Sequence, residues 1–106
     1  MAGSTIANEG DREWARTWTP SLRCRLAEFR YDTKDYSACI AECERLLSEW
    51  GPGHEFRPSV LLLLGHSRLF RKEKPAARKC YEETLACENA TPEQRAYAAK
   101  CLAMCR

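Results

Sequence analysis

Self-similarity at a fixed offset constrains a chain more tightly than its composition does, because each repeat must be one structural unit that its neighbours complete. Shifted by 38 residues, this sequence sets Pro20 on Pro58, Ser21 on Ser59, Leu26 on Leu64, Arg30 on Arg68, Lys34 on Lys72, Ala38 on Ala76, Glu44 on Glu82 and Leu47 on Leu85. The identities run through two segments of helical periodicity and the turn between them, so the repeating unit is a helical hairpin. One hairpin cannot bury its own apolar face, and stacked hairpins can. The chain is therefore predicted to be all-α, a stack of antiparallel helical hairpins with about five helices.

Local signals place those helices. Thr19-Pro20 is an N-cap followed by a first-turn proline, after which Leu22, Leu26 and Phe29 recur at helical spacing up to about Tyr31. Beyond a polar turn at 32–35, Tyr36, Cys39, Ile40, Cys43, Leu46, Leu47 and Trp50 form one apolar stripe, which Gly51-Pro52-Gly53 ends. A third helix starts near Pro58, is apolar on nearly every side through Val60–Leu64, and closes in Arg71-Lys72-Glu73-Lys74; it should be central. Pro75 opens a fourth helix with Ala77, Cys80, Tyr81, Thr84 and Leu85 facing inward, and Thr91-Pro92-Glu93 launches a last one reaching about Cys105. Residues 1–18 are expected to be an N-terminal extension, a short helix or partly disordered, ahead of a single helical domain over 19–106.

Composition removes several function classes. A formal charge of +2, with both signs interspersed, gives no basic field for nucleic acid. No signal-peptide pattern appears in Met1–Asp11, and the longest apolar run, Val60–Leu64, is far below the roughly 20 residues of a bilayer span. The seven cysteines include no Cys-x-x-Cys pair; Cys39 with Cys43, and Cys101 with Cys105, fall four apart on one helical face. They are read as small apolar core residues in a reducing, cytoplasmic compartment. Phosphate loops, His-Glu-x-x-His and Gly-x-Ser-x-Gly are all missing, so no enzymatic activity and no cofactor or metal is expected.

The hairpins resemble the tetratricopeptide repeat family, as two repeats plus a C-terminal helix. Leu64-Gly65 stands at the family's Leu-Gly pair, with Leu26-Ala27 and Ala98-Ala99 at the matching places of the other units. Asp35-Tyr36 matches the turn into the second helix; Cys39 and Ala77 take the small buried site, and Cys43 and Tyr81 the larger one. Pro58 to Pro92 is the family's repeat length of 34, and the loop Gly51–His54 accounts for the four extra residues before it. Departures are Arg23 and Leu61 where the family often has Trp, and Arg30 and Arg68 where it often has Tyr.

The resemblance implies a right-handed stack whose first helices line a concave groove holding an extended or helical peptide. Carried over by phase, the partner-binding candidates are Glu28, Tyr31, Leu62, His66, Leu69, Phe70 and Lys100, with Ser21, Cys24, Ser59, Glu93, Ala96 and Met104 beside them. The family's carboxylate clamp for acidic chaperone tails is not matched: its positions hold Cys24, Glu28, Leu63, Glu93 and Tyr97, so no chaperone C-terminal tail is expected to bind. For Leu62, Leu69 and Phe70, core packing is as good a reading as groove lining. His66 on an apolar helix reads first as a packed residue.

Two features point to further contacts. Trp14 and Trp18, four apart, either pack on the first hairpin or reach into an apolar groove of this or another molecule. The last helix offers Ala98, Ala99, Cys101, Leu102, Ala103, Met104 and Cys105 with few charges, too apolar for a solvated end. The expected function is a protein-interaction adaptor binding a peptide or partner helix. The alternative is a self-association module, as a homo-oligomer or as part of a longer solenoid. No nucleic-acid or membrane partner is expected.

Overall fold

Thr19 opens the described part of the chain, residues 19–105 in the computed structural model. Its hydroxyl accepts the Leu22 N–H at 3.3 Å, and Pro20 follows as the first residue of α1 (Pro20–Asp32). The Asp35 side chain caps α2 (Tyr36–Glu49) by accepting the Ala38 N–H, also at 3.3 Å. Then come α3 (Arg57–Phe70), α4 (Lys74–Ala86) and α5 (Pro92–Met104), the last begun by a full capping box in which Thr91 and Gln94 satisfy each other's backbone N–H. The five helices are those read from the sequence, except that the third ends at Phe70, short of the basic stretch 71–74, because Lys72 takes the left-handed turn; no strand occurs among the described residues.

The internal repeat extends to backbone geometry. After α1, Lys34 adopts φ 65°, its N–H bonds to Tyr31 O, and Asp35 N–H bonds to Arg30 O, both at 2.9 Å. After α3, Lys72 adopts φ 63°, its N–H bonds to Leu69 O, and Glu73 N–H bonds to Arg68 O, again at 2.9 Å. These are twin Schellman turns, which satisfy the last helical carbonyls by placing one residue in the left-handed region. Lysine carries a steric penalty there that glycine lacks. Lys34→Gly and Lys72→Gly are each expected to raise the unfolding free energy by about 0.5–1 kcal/mol, the relief being partly offset by glycine's freedom in the unfolded chain. An unchanged urea midpoint in both variants would contradict this reading of the turns.

Another repeated device closes the far ends of the hairpins. Arg57 donates to the carbonyls of Leu47 and Trp50 at 3.3 and 3.2 Å, and Arg95 donates to those of Cys87 and Glu88 at 2.9 and 3.1 Å. Each arginine thus ties down the carbonyl-rich exit of the helix before it.

Packing follows from the hydrophobic run of α3, which touches all four other helices. The helices α1, α3 and α5 lie side by side, with α2 and α4 behind them, and the shortest extent of 18 Å fits two helical layers. Ala27, Cys39, Ile40, Cys43, Leu46, Val60, Leu64 and Cys80 form one core; Leu62, Ala77, Tyr81, Ala98, Cys101 and Cys105 form a second. All seven cysteines are unpaired thiols, and six are buried. Cys39 and Cys43 touch at 4.0 Å, and the Ser67 hydroxyl sits 3.1 Å from Cys39 Sγ.

Two close approaches set the helix spacing. A Cβ added at Gly65 would stand 2.8 Å from Cε1 of Tyr81, so the glycine is what lets the fully buried ring approach α3 this closely. Arg23, a departure from the family pattern, is buried and meets the Glu49 carboxylate through two hydrogen bonds of 2.9 Å that pin α1 to the end of α2. No described helix is long and apolar enough to cross a membrane.

Candidate partner-binding face

Side chains from the front helices and the first turn of α2 form a continuous aromatic strip. Tyr36, opening α2, stacks on Phe70 at the end of α3, with centroids 4.9 Å apart and planes within 4°. Tyr31, near the end of α1, packs edge-on against both rings at 5.6 and 5.9 Å. His66, one turn before Phe70, lies 6.3 Å from Tyr31 and 5.1 Å from Tyr97 of α5. Beneath it the Tyr81 hydroxyl and His66 Nδ1 share a hydrogen bond of 2.8 Å. The strip therefore spans the front layer from α1 to α5 and is anchored to the second core through Tyr81.

Exposure is concentrated at its two ends, where Phe70 is 59% and Tyr97 48% accessible. Tyr31, Tyr36 and His66 are half-buried between them. Rings held by other rings lose little rotamer freedom when a partner covers them, so the strip is pre-organised for apolar and stacking contacts. Glu28 and Lys100 are exposed on α1 and α5.

Among the candidates from the sequence, Tyr31, His66 and Phe70 are brought together in this strip. Leu62 is corrected: it is 8% exposed and belongs to the second core with Ala77, Tyr81 and Ala98, because its arc of α3 faces α4 and α5. Leu69 is half-buried and packs on that same core. Tyr36, assigned from the sequence to a buried stripe, is a member of the strip. Tyr97, considered only as a mismatch to the carboxylate clamp, was also missed. The available signal was an aromatic residue on every front helix, namely Tyr31, Phe70 and Tyr97. Trp14 and Trp18 lie outside the described residues.

The electrostatics of the strip are those of neutral rings. Burial holds His66 below the ordinary histidine value of 6.5, so it is uncharged at neutral pH. Burial likewise pushes the Tyr81 phenol well above 10.0, and burial followed by neighbouring Tyr36 raises Tyr31. Because the folded value of His66 is depressed, the unfolded chain takes up its proton first as the pH falls. The stability owed to neutral His66 is complete above about pH 6.5 and is lost as the pH drops through its folded value. Urea titrations between pH 7 and 5 should show a declining unfolding free energy, with a shallower decline in His66→Gln. Equal slopes would contradict the buried neutral imidazole.

A second concavity, between the 51–54 and 87–89 loops, is a weaker candidate. It is floored by Leu61 and Cys87, its Arg57 is committed to two carbonyls, and Asn89 Nδ2 donates to His54 O at 2.8 Å. It is the seam between hairpins. Compared with protein-family models, with curated proteins and with solved structures, the chain matches none.

Proposed function

We propose that this chain is a tetratricopeptide-like interaction adaptor that holds a peptide or partner helix on the front layer, along Tyr31, Tyr36, His66, Phe70 and Tyr97. The observation that carries the reading is the aromatic strip, whose exposed ends lie on different helices while its middle rings are braced by one another. Phe70 and Tyr97 each pack one side on a neighbouring ring and leave about half of their surface to solvent, and aromatic residues are enriched where proteins meet. Support for the repeat affiliation comes from the twin Schellman turns and from Gly65 seated against Tyr81. The exposed acids Glu28 and Glu93 would repel an acidic chaperone tail. The partner surface is accordingly apolar or aromatic, and the setting proposed for it is the reducing cytoplasm.

Self-association is the second reading, and one observation favours it. Ala96, Ala99 and Ala103 of α5 are exposed, together with Met104, whereas Leu62, Gly65 and Leu69, 34 positions earlier on α3, pack toward α4. A second copy or a further hairpin would cover that face.

Because Leu62 is core, the discriminating substitutions are Phe70→Asp and Tyr97→Asp. Co-purification of the full chain followed by native mass measurement should give a complex that both variants lose while their own fold and subunit mass persist. If the variants instead break up a homo-oligomer, the self-association reading replaces the adaptor. Retention of the same complex by both variants would refute the placement of the site.

A further inference from the structure

The internal repeat supplies a template for the outer face of α1. By the offset of 38, Leu22, Phe29 and Arg30 of α1 correspond to Val60, Ser67 and Arg68 of α3. In α3 that face is covered by α2: Val60 shares a core with Cys39 and Cys43, the Ser67 hydroxyl touches Cys39, and the Arg68 guanidinium is held between Glu44 of α2 and Glu73 of the following turn. In α1 the same face carries Leu22 at 49% and Phe29 at 58% exposure. Arg30 has neither carboxylate. The counterpart of Glu73 is Asp35, whose side chain caps α2, and the described residues put no helix where α2 would stand. The Nε of Arg30 is buried and meets no hydrogen-bond partner among the described residues, a costly state for a charged group.

We propose that this face is a second docking surface, which takes an amphipathic helix of a partner protein presenting two small residues four apart and, directly after the second, a carboxylate that meets Arg30. The pattern is the one α2 shows to α3 in Cys39, Cys43 and Glu44. Charge selects the occupant. An arginine whose Nε is already withdrawn from water gains a charge-assisted hydrogen bond from an arriving carboxylate, and part of the desolvation has been met beforehand. The helices of a second copy do not offer that pattern on an open face. Both α2 and α4 are enclosed between front helices, and on α5 the exposed pair Ala99 and Ala103 is followed by Met104. A second copy would therefore leave Arg30 unmatched. Phe29 is also larger than Ser67, so the residue opposite it must be smaller than the Cys39 of α2. The surface is distinct from the aromatic strip, since Leu22, Phe29 and Arg30 take no part in the strip's ring contacts.

The test titrates the full chain into a fluorescently labelled, end-capped peptide of the α2 sequence, residues 35–50, carrying Cys39→Ala and Cys43→Ala so that it is free of thiols and small opposite Phe29. Saturable binding in the micromolar range is expected by anisotropy. Leu22→Glu with Phe29→Glu in the chain should abolish it, while Phe70→Asp should leave it unchanged. Helical circular dichroism should persist in each variant, because Leu22, Phe29 and Phe70 are all exposed. The peptide with Glu44→Gln should bind the unaltered chain about tenfold more weakly, which probes the ion pair without touching the fold. Arg30→Glu in the chain should cost at least as much, and the peptide with Glu44→Arg should restore its affinity. Absence of binding at about 1 mM peptide would overturn the proposal. So would binding indifferent to the α1 substitutions, or equal affinity of the Glu44→Gln peptide. A dimer in sedimentation velocity that Phe29→Glu dissociates would assign the face to a second copy and overturn it as well.

Discussion

Replacing Tyr81 with alanine is expected to remove about 4 kcal/mol of unfolding free energy, the range measured when a fully buried aromatic ring is truncated. Tyr81 is completely buried, lies against Gly65 of α3, and belongs to the core that also holds Ala98 and Cys101 of α5. One side chain thus joins α4 to both neighbours. For a domain of this size the loss corresponds to roughly 15–30 °C in melting temperature. Tyr81→Phe separates packing from polarity: it keeps the ring and loses the hydroxyl's hydrogen bonds to His66 and to the Cys101 thiol, at about 1–2 kcal/mol. A loss below about 1 kcal/mol for the alanine variant, in urea titrations followed by circular dichroism, would mean that the second and third helical units are not packed through this residue.

The second large effect concerns binding. Phe70→Asp and Tyr97→Asp together should weaken the partner complex by at least about 100-fold, since exposed aromatic anchors dominate interface energetics. Unfolding free energy should fall by only about 2 kcal/mol, with the fold retained, because what the monomer loses are the half-exposed ring contacts of Phe70 with Tyr36 and Tyr31 and of Tyr97 with His66. The contrast with Tyr81 gives the pair its meaning. A binding loss accompanied by unfolding would say nothing about the strip, whereas a binding loss with the fold retained locates the contact. Isothermal titration with the co-purified partner, alongside urea titration of each variant, reads both quantities.

The elements were legible in the sequence because their signals are local and redundant. Thr19-Pro20 and Thr91-Pro92 start helices by capping chemistry that does not depend on tertiary context. The stripe from Tyr36 to Trp50 and the run Val60–Leu64 demanded other helices, and the offset of 38 gave their order. The partner face was legible only in part. Periodicity assigns a residue to an angle on its helix but cannot tell how wide the buried arc is. On α3, which touches four neighbours, that arc is wide enough to include Leu62. Tyr36 and Tyr97 were missed for the complementary reason: their roles come from rings on other helices, Phe70 and His66, and no spacing within one helix encodes such a pairing. Arg23 was seen only as a departure, because its partner Glu49 is 26 residues away.

The most direct measurement places a photoreactive phenylalanine analogue at position 70 of the full chain and, as a control, at the exposed Glu82 of α4. Irradiation in the native cell should give a discrete adduct of fixed mass from position 70, none from position 82, and none from position 70 when Tyr97→Asp is also present. Equal adducts from both positions, or an adduct from position 70 that survives the Tyr97 substitution, would contradict a partner held along the aromatic strip.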